Sequence, residues 1–212
     1  MPNLPISQLP SASALTGAEI FPLVQGGITK QTTLGATVYI PGNSYGLFNQ
    51  TGSSTPITNT LTETSLLDGG VGTLSVPANG FIKGDAYHAI LTGHLSSVNN
   101  HTLRIRLKSN GSLLADTGAL TMAGATDQHW KMEVYFSINE LGGAGAASIA
   151  TGGTFMYTKD ASNSFEGTNF STENNTTFDT TVSNTLVITA QWGTASTGDN
   201  IYSQIFTLRK TY

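Results

Sequence analysis

Apolar and polar residues alternate along several short segments of the chain, which is the pattern of β-strands that bury one face. The clearest segments are residues 103–108, 131–138, 186–190 and 205–208. Weaker strand signals cover residues 56–67, 73–76, 86–95, 149–157 and 165–170. No segment has a convincing helical period, and many short strands separated by turns predict an all-β sandwich or barrel.

Turn signals separate these segments. Asn110-Gly111 follows the strand predicted over 103–108, and this pair favours a two-residue hairpin because both central residues of a type I′ turn need positive φ. Residues 142–145 and 195–200 are predicted to be loops. A sandwich exposes edge strands that can pair with other chains, so we expect an oligomer whose subunit number the pattern does not fix.

The first 36 residues differ from the remainder and carry four of the seven prolines. Proline lacks the backbone donor that a strand or helix needs, so residues 1–36 are predicted to be an extended N-terminal arm with little structure of its own. Residues 37–212 are predicted to form the β-sandwich. The arm's apolar residues need a surface elsewhere, and the ones expected to dock it are Leu9, Leu15, Phe21, Leu23 and Val24.

Composition and charge limit the classes of function that the chain can have. Charged residues make up 10% of the 212 residues, against roughly a quarter in an average globular protein. The net charge of −4 does not favour a nucleic-acid partner. No apolar run approaches the roughly 20 residues of a membrane span, and the chain begins without the features of a signal peptide. We therefore expect a protein of the cytoplasm in which it is made, without membrane insertion.

The one basic cluster is Arg104, Arg106 and Lys108, which period-two spacing places on one face of a strand. We interpret it as a solvated sheet face or a subunit contact. His88 and His94 share a face if their strand is regular, about 20 Å apart, which is too far for one metal ion.

No nucleophile motif or metal-ligand spacing occurs, cysteine is absent, and the acidic residues are scattered. The prediction is a non-enzymatic protein without a cofactor, although a metal site assembled by the fold stays open.

Aromatic residues suggest a second role. Trp130 and Trp192 lie in strand contexts and are interpreted as core or interface residues, with a sugar-stacking platform as the alternative. The asparagine-rich stretch 163–175 is the better candidate for an exposed recognition loop. Its candidate binding residues are Asn163, Phe165, Asn169 and Phe170.

Two parts of the chain resemble proteins of tailed-phage virions. Residues 6–19, ISQLPSASALTGAE, continue into FPLVQGG and TKQTT, and this series resembles the N-terminal attachment segment of many phage fibre and virion-surface proteins. Residues 73–79, 83–85, 103–108, 114–118 and 186–192 together resemble a jelly-roll-like domain of phage structural proteins.

The resemblance implies a virion-surface location, a jelly-roll-like sandwich and a homotrimer. The expected role is capsid decoration or cement, with the arm bound to the major capsid protein. The alternative is a short receptor-binding tail fibre that is fixed to a tail adaptor protein and recognises a host surface glycan.

Overall fold

The structure is a computed structural model that describes residues 20–25, 28–33, 47–161 and 164–212. The chain divides into two compact units, residues 1–44 and 45–212. The described residues are all-β, and none of them forms a helix long and apolar enough to cross a membrane.

The first unit contains an antiparallel hairpin of strands β1 (Ile20–Gln25) and β2 (Ile28–Thr33). The expectation that this stretch has little structure of its own is therefore wrong for these twelve residues. Pro22 pairs with Gln31 inside the ladder. A two-stranded ladder leaves about half of its backbone donors pointing away from the partner strand, and proline fits such a position because it has no donor to lose.

The strands of the second unit range from two residues to sixteen. In chain order they are β3 (Phe48–Gln50), β4 (Ile57–Thr58), β5 (Thr64–Ser65), β6 (Gly70–Gly72), β7 (Ser75–Val76), β8 (Ala86–Ser97), β9 (Thr102–Ser109), β10 (Ser112–Asp116), β11 (Leu120–Thr121), β12 (Ala125–Glu140), β13 (Ser148–Thr158), β14 (Phe165–Asn174), β15 (Asn184–Trp192) and β16 (Asn200–Lys210).

These strands form two antiparallel sheets. The large sheet has the order β14-β13-β12-β8-β16-β3-β6, with β4 also paired to β16. The small sheet has the order β10-β9-β15-β5, with β11 paired to β9 and β7 to β15. The chain crosses repeatedly between the sheets, since β8 and β16 lie in the large one while β9 and β15 lie in the small one.

One hydrophobic core joins the inner faces of both sheets, as expected of a sandwich. Leu103, Ile105 and Leu107 of β9 are each 0% exposed, which confirms the alternation predicted for this strand. Met132 and Val134 of β12 are buried opposite them in the large sheet. Each such side chain contributes about 1.5–3 kcal/mol when it is removed from water, so the two inner faces supply most of the driving force for folding.

The predicted hairpin between β9 and β10 is also confirmed. Asn110 and Gly111 have φ values of 44° and 84°, and Ser112 pairs with Ser109 across them. Positive φ at both positions is what a type I′ turn requires, and asparagine and glycine adopt it at low cost.

The large sheet is bent by a β-bulge where β8 meets β16. The register of β16 shifts after Ser203, which pairs with Gly93, so the extra residue lies in β16, whereas the pairing of β8 with β12 is regular at Gly93. A Cβ atom at Gly93 would lie 2.0 Å from the carbonyl oxygen of Tyr202. The N–H of Ser203 donates to Ser54 Oγ at 2.9 Å, which replaces a ladder hydrogen bond. Only glycine permits the two strands to approach this closely.

Gly93→Ala should therefore destabilise the sandwich by about 1–3 kcal/mol or more, because the new methyl group can be accommodated only by separating two central strands. The measurement is the free energy of unfolding in urea. Gly152→Ala in β13 is the matched control, since its Cβ would meet nothing within 4 Å. Equal stability of the two variants would contradict this account of the bulge.

Candidate functional site

The outer face of the small sheet carries the predicted stripe of Arg104, Arg106 and Lys108. The three side chains do share a face, but each has an acidic partner. Arg104 Nε donates to Asp116 Oδ1 at 2.8 Å, and Arg106 Nη1 donates to Glu63 Oε2 at 2.8 Å. Lys108 Nζ also donates to Glu63. The stripe is thus a network of ion pairs rather than a free basic surface.

The acidic members of this network stay ionised. Hydrogen bonds from Arg104 lower the pKa of the Asp116 carboxyl below its usual value. For Glu63, burial acts to raise the pKa, but hydrogen bonds from Lys108 and Thr189 outweigh it and lower the pKa. With two carboxylates against three cations, the stripe offers little net charge to a nucleic acid.

The outer face of the large sheet carries a second network, centred on His88 of β8. The ring is 6% exposed, because Tyr135 of β12 stacks on it with 4.5 Å between centroids. His88 Nε2 lies 2.8 Å from Glu133 Oε1, and Nδ1 lies 3.0 Å from Arg209 Nη2. Both ring nitrogens are therefore engaged, so His88 is placed to hold three strands together rather than to activate a nucleophile.

Glu133 is the acceptor that this second network shares. Lys131 Nζ lies 3.0 Å from Oε2, and the Tyr135 hydroxyl donates to Oε1 at 2.8 Å. Hydrogen bonds from Lys131, Tyr135 and His88 lower the pKa of Glu133 to about 2, although desolvation acts in the opposite direction.

His94 lies on the same face of β8 in a separate group. Its Nδ1 is 3.1 Å from Asp127 Oδ1, and its ring packs 6.1 Å from the rings of both Tyr202 and His129. His88 and His94 thus share a face, as their even spacing predicts, but they have different partners. Among the residues that the structure describes, no group of three or more metal-ligating side chains comes together.

A third histidine joins two loops at one end of the sandwich. His101 Nδ1 lies 2.7 Å from Asp199 Oδ2, and the other carboxylate oxygen accepts the N–H of Val98 at 2.8 Å. Asp199 is fully buried. This pair resembles two thirds of a catalytic triad, but the contacts of the described residues bring no nucleophilic side chain to the imidazole.

Two acidic residues near β14 are also engaged. Asp160 accepts hydrogen bonds from Thr126 and Gln128, and Glu166 pairs with Lys159 at 3.3 Å.

The stretch predicted as a recognition loop is mostly strand β14, at the edge of the large sheet. Phe165 is 74% exposed and Asn169 is exposed. Phe170 is 9% exposed and belongs to the core, so its expected role in recognition is wrong. Asn163 lies outside the described residues. The stretch can still contact a ligand, but as a strand edge and not as a free loop.

Beside this edge lies an open groove of about 240 Å³. Phe165 and Met156 supply its apolar wall, and Glu166, Thr168 and Asn169 supply polar groups. Thr154 Oγ1 donates to the Asn169 side-chain oxygen at 2.9 Å, which fixes the amide. An exposed aromatic ring beside an amide and hydroxyl groups is a combination that can bind a sugar.

The tryptophans belong to the core. Trp130 is 0% exposed and Trp192 is 1% exposed, so the sugar-platform alternative for them is wrong. Their indole N–H groups donate to backbone carbonyls, that of Trp130 to His94 and Tyr202 and that of Trp192 to Ile57. These hydrogen bonds let a large amphipathic ring fill the core at no polar cost.

The structure also exposes apolar residues that sequence reasoning missed. Tyr135 is 55% exposed, Ile205 is 54% exposed and Met156 is 41% exposed, all on the outer face of the large sheet. Ile205, Thr92, Lys131 and Met156 are successive partners across four strands. The available signal was an apolar residue at an outward position of an alternating strand, where a polar residue is normal.

Of the residues expected to dock the arm, Phe21, Leu23 and Val24 lie in strand β1. Leu9 and Leu15 lie outside the described residues. Comparisons of this chain with protein-family models, curated proteins and solved structures found no match.

Acid should weaken the fold partly through Glu133. Its pKa is about 2 in the folded chain against an ordinary 4.5, so its stabilising effect is present above pH 4.5 and is lost as the pH falls towards 2. Glu133→Gln should lower the melting temperature at pH 7 and flatten its decline between those pH values. Glu140→Gln, which removes an exposed partner of Lys83, is the control. An unchanged pH profile in Glu133→Gln would contradict the assignment.

Proposed function

We propose that this chain is a non-enzymatic structural subunit of the tailed-phage virion surface, a trimeric jelly-roll protein that decorates the capsid. The observation that carries the proposal is the strand order of the sandwich. Together with the N-terminal sequence that resembles an attachment segment, this strand order supports a protein that binds the particle through its N-terminal unit and presents the sandwich on the surface.

The strand order supports the jelly-roll assignment. Counting β3, β5, β8, β9, β10, β12, β15 and β16 as eight successive strands, the large sheet contains the first, eighth, third and sixth, and the small sheet contains the second, seventh, fourth and fifth. This double Greek key is common in viral capsid and lectin domains. The hairpin of β13 and β14 is an addition that widens the large sheet at one side.

The N-terminal unit supports an attachment role. The segment that resembles phage attachment sequences ends in the β1–β2 hairpin, and residues 1–44 form a unit separate from the sandwich. An isolated two-stranded hairpin is only marginally stable in water, so this unit gains from binding another surface. The major capsid protein is the proposed partner, and a tail adaptor protein would take its place in a fibre.

As a decoration protein the chain stabilises the capsid by burying apolar surface against it. Bridging neighbouring capsid subunits stabilises the shell by roughly 25 cal/mol for each Å² of apolar surface removed from water, less the cost of ordering the docked segment. The basic stripe on the small sheet is paired with carboxylates of the same chain, so this face can stay in contact with solvent on the outside of a particle.

The second candidate is a short receptor-binding tail fibre, and the groove beside Phe165 favours it. In this role the exposed ring and the Asn169 amide bind a host surface glycan. The number of copies in each virion separates the candidates, because decoration proteins cover the capsid whereas tail fibres are few.

Deletion of residues 1–44 should abolish incorporation into virions and leave the sandwich folded. The two units are compact by themselves, so the melting temperature of residues 45–212 should stay close to that of the full chain. Quantitative mass spectrometry of virions purified after complementation measures the incorporation. Normal copy number of the truncated chain would show that attachment runs through the sandwich.

A pair of point variants tests the same anchor without truncation. Phe21→Asp with Leu23→Asp places two charges in β1 at apolar positions, and buried unpaired charge strongly opposes docking. Thr29→Asp with Gln31→Asp adds the same charge to β2 at polar positions and is the matched control. We expect the first variant to be lost from virions and the control to load. Equal loading of both would contradict the docking role of Phe21 and Leu23.

A further inference from the structure

We propose that the outer face of strands β12, β13 and β14 binds an uncharged sugar ring, which stacks on Tyr135 above Gly152. This inference deepens the glycan-binding candidate given above and rests on it. It adds a binding position outside the groove beside Phe165, and it states the charge of the sugar. The capsid role does not depend on it.

The ring of Tyr135 is held in one position and keeps one face free. It lies parallel to the His88 ring, with 3° between the planes and 4.5 Å between the centroids. Its hydroxyl donates to Glu133 Oε1 at 2.8 Å. Since His88 lies on β8, the free face points towards β13, and Tyr135 is 55% exposed. A fixed and exposed aromatic face is a surface on which a sugar can stack without an ordering cost for the side chain.

The space in front of this free face is empty. The residue opposite Tyr135 on β13 is Gly152. An aromatic ring often leans over a glycine of the neighbouring strand and supplies the packing that the glycine lacks. Here the ring stacks on His88 instead, and a Cβ atom at Gly152 would meet nothing within 4 Å. The result is an open trough with the Tyr135 ring as one wall and the Gly152 backbone as its floor.

The fold does not require a glycine at position 152. The strands of the second unit contain six glycines, and in five of them a Cβ atom would lie 2.6 Å or less from another atom, namely Gly70, Gly72, Gly93, Gly153 and Gly167. Gly152 has neither a close neighbour nor a positive φ. A glycine inside a strand lowers its stability and often marks a place where a ligand approaches the backbone. We therefore assign the space above Gly152 to a ligand.

Hydroxyl and amide groups border the trough. Ser171 of β14 pairs with Gly152 from the side opposite Tyr135, and two strand spacings put roughly 10 Å between the Ser171 and Tyr135 backbones. The next outward pair along β13 and β14 is Thr154 and Asn169. Thr154 Oγ1 donates to Asn169 Oδ1 at 2.9 Å, so the amide nitrogen of Asn169 is left to donate to a ligand. These groups can exchange hydrogen bonds with the hydroxyls of a stacked sugar.

The charges near the trough favour a neutral sugar over an acidic one. Lys131 is paired with Glu133 at 3.0 Å, and Arg209 lies on β16, three strands away from Gly152. Glu173 lies on the same face of β14 and forms no ion pair with another residue that the structure describes. This carboxylate would repel an acidic sugar, whereas a neutral sugar meets the hydroxyl and amide groups without that cost.

The trough continues into the groove beside Phe165. Thr154 and Asn169 border both. Phe165 pairs with Thr158, six residues from Gly152 on β13, so the two aromatic positions lie about 20 Å apart along the strand. A chain of several sugars can contact both positions, and we expect it to bind more tightly than a single sugar.

The first test measures sugar binding to the full-length chain by isothermal titration calorimetry. The probes are neutral tetrasaccharides of glucose, galactose, mannose and N-acetylglucosamine, with tetragalacturonate as the acidic probe. We expect at least one neutral probe to bind and tetragalacturonate to bind more weakly. Tyr135→Ala should raise the Kd of the neutral probe by about tenfold or more, whereas Tyr135→Phe keeps the ring and should change it by about twofold or less. Ile205→Ala, on the same sheet face with 54% exposure, is the matched control and should leave the Kd unchanged.

The second test fills the trough without removing any side chain. Gly152→Thr places a β-branched residue in the empty space, so it should raise the Kd of the neutral probe by about tenfold or more. Its melting temperature should equal or exceed that of the wild type, because a β-branched residue suits a strand better than glycine does. Loss of binding in a chain of undiminished stability cannot come from unfolding.

The outcomes separate this inference from the candidate on which it rests. A wild-type chain that binds none of the neutral probes at millimolar concentration overturns both. Binding that is weakened by Phe165→Ala but not by Tyr135→Ala or Gly152→Thr overturns only the position assigned here. Equal weakening by Tyr135→Ala and Ile205→Ala contradicts the stacking on Tyr135, and tighter binding of tetragalacturonate than of every neutral probe contradicts the charge of the sugar.

Discussion

The burial of two sheet faces against each other is the constraint on which the rest of this molecule depends. Every long strand must turn one row of side chains inward, so the opposite row is fixed on the outside and placed in register with its neighbours. His88 of β8, Glu133 of β12 and Arg209 of β16 meet for that reason, although they are far apart in the sequence. The same register sets Ile205 and Met156 on one outer row.

Much of the sandwich could be predicted because its signals are local. The alternation in residues 103–108 and 131–138 depends on neighbouring residues only, as does the Asn110-Gly111 turn. The proline content of the first 36 residues does not predict the β1–β2 hairpin, because a two-stranded ladder has room for Pro22. Residues 56–67, predicted as one strand, form only the short strands β4 and β5.

The candidate site could be predicted only in part. Phe165 is exposed, as expected, but Phe170 is in the core, because β14 is a strand and alternates its side chains where a loop would not. The partners of the basic stripe are Asp116 of β10 and Glu63, which lies just before β5, and they leave no pattern in the sequence. The sequence does not show which apolar side chains lie on an outer sheet face, because that depends on the register of each sheet.

The attachment-like N-terminal sequence and the β-sandwich together support one proposal, a trimeric decoration protein on the virion surface. A cryo-electron microscopy reconstruction of virions that carry the chain tests this most directly. We expect clusters of three sandwiches on the capsid. Sandwiches that stand singly, or virions that carry the chain only at the tail, would contradict it.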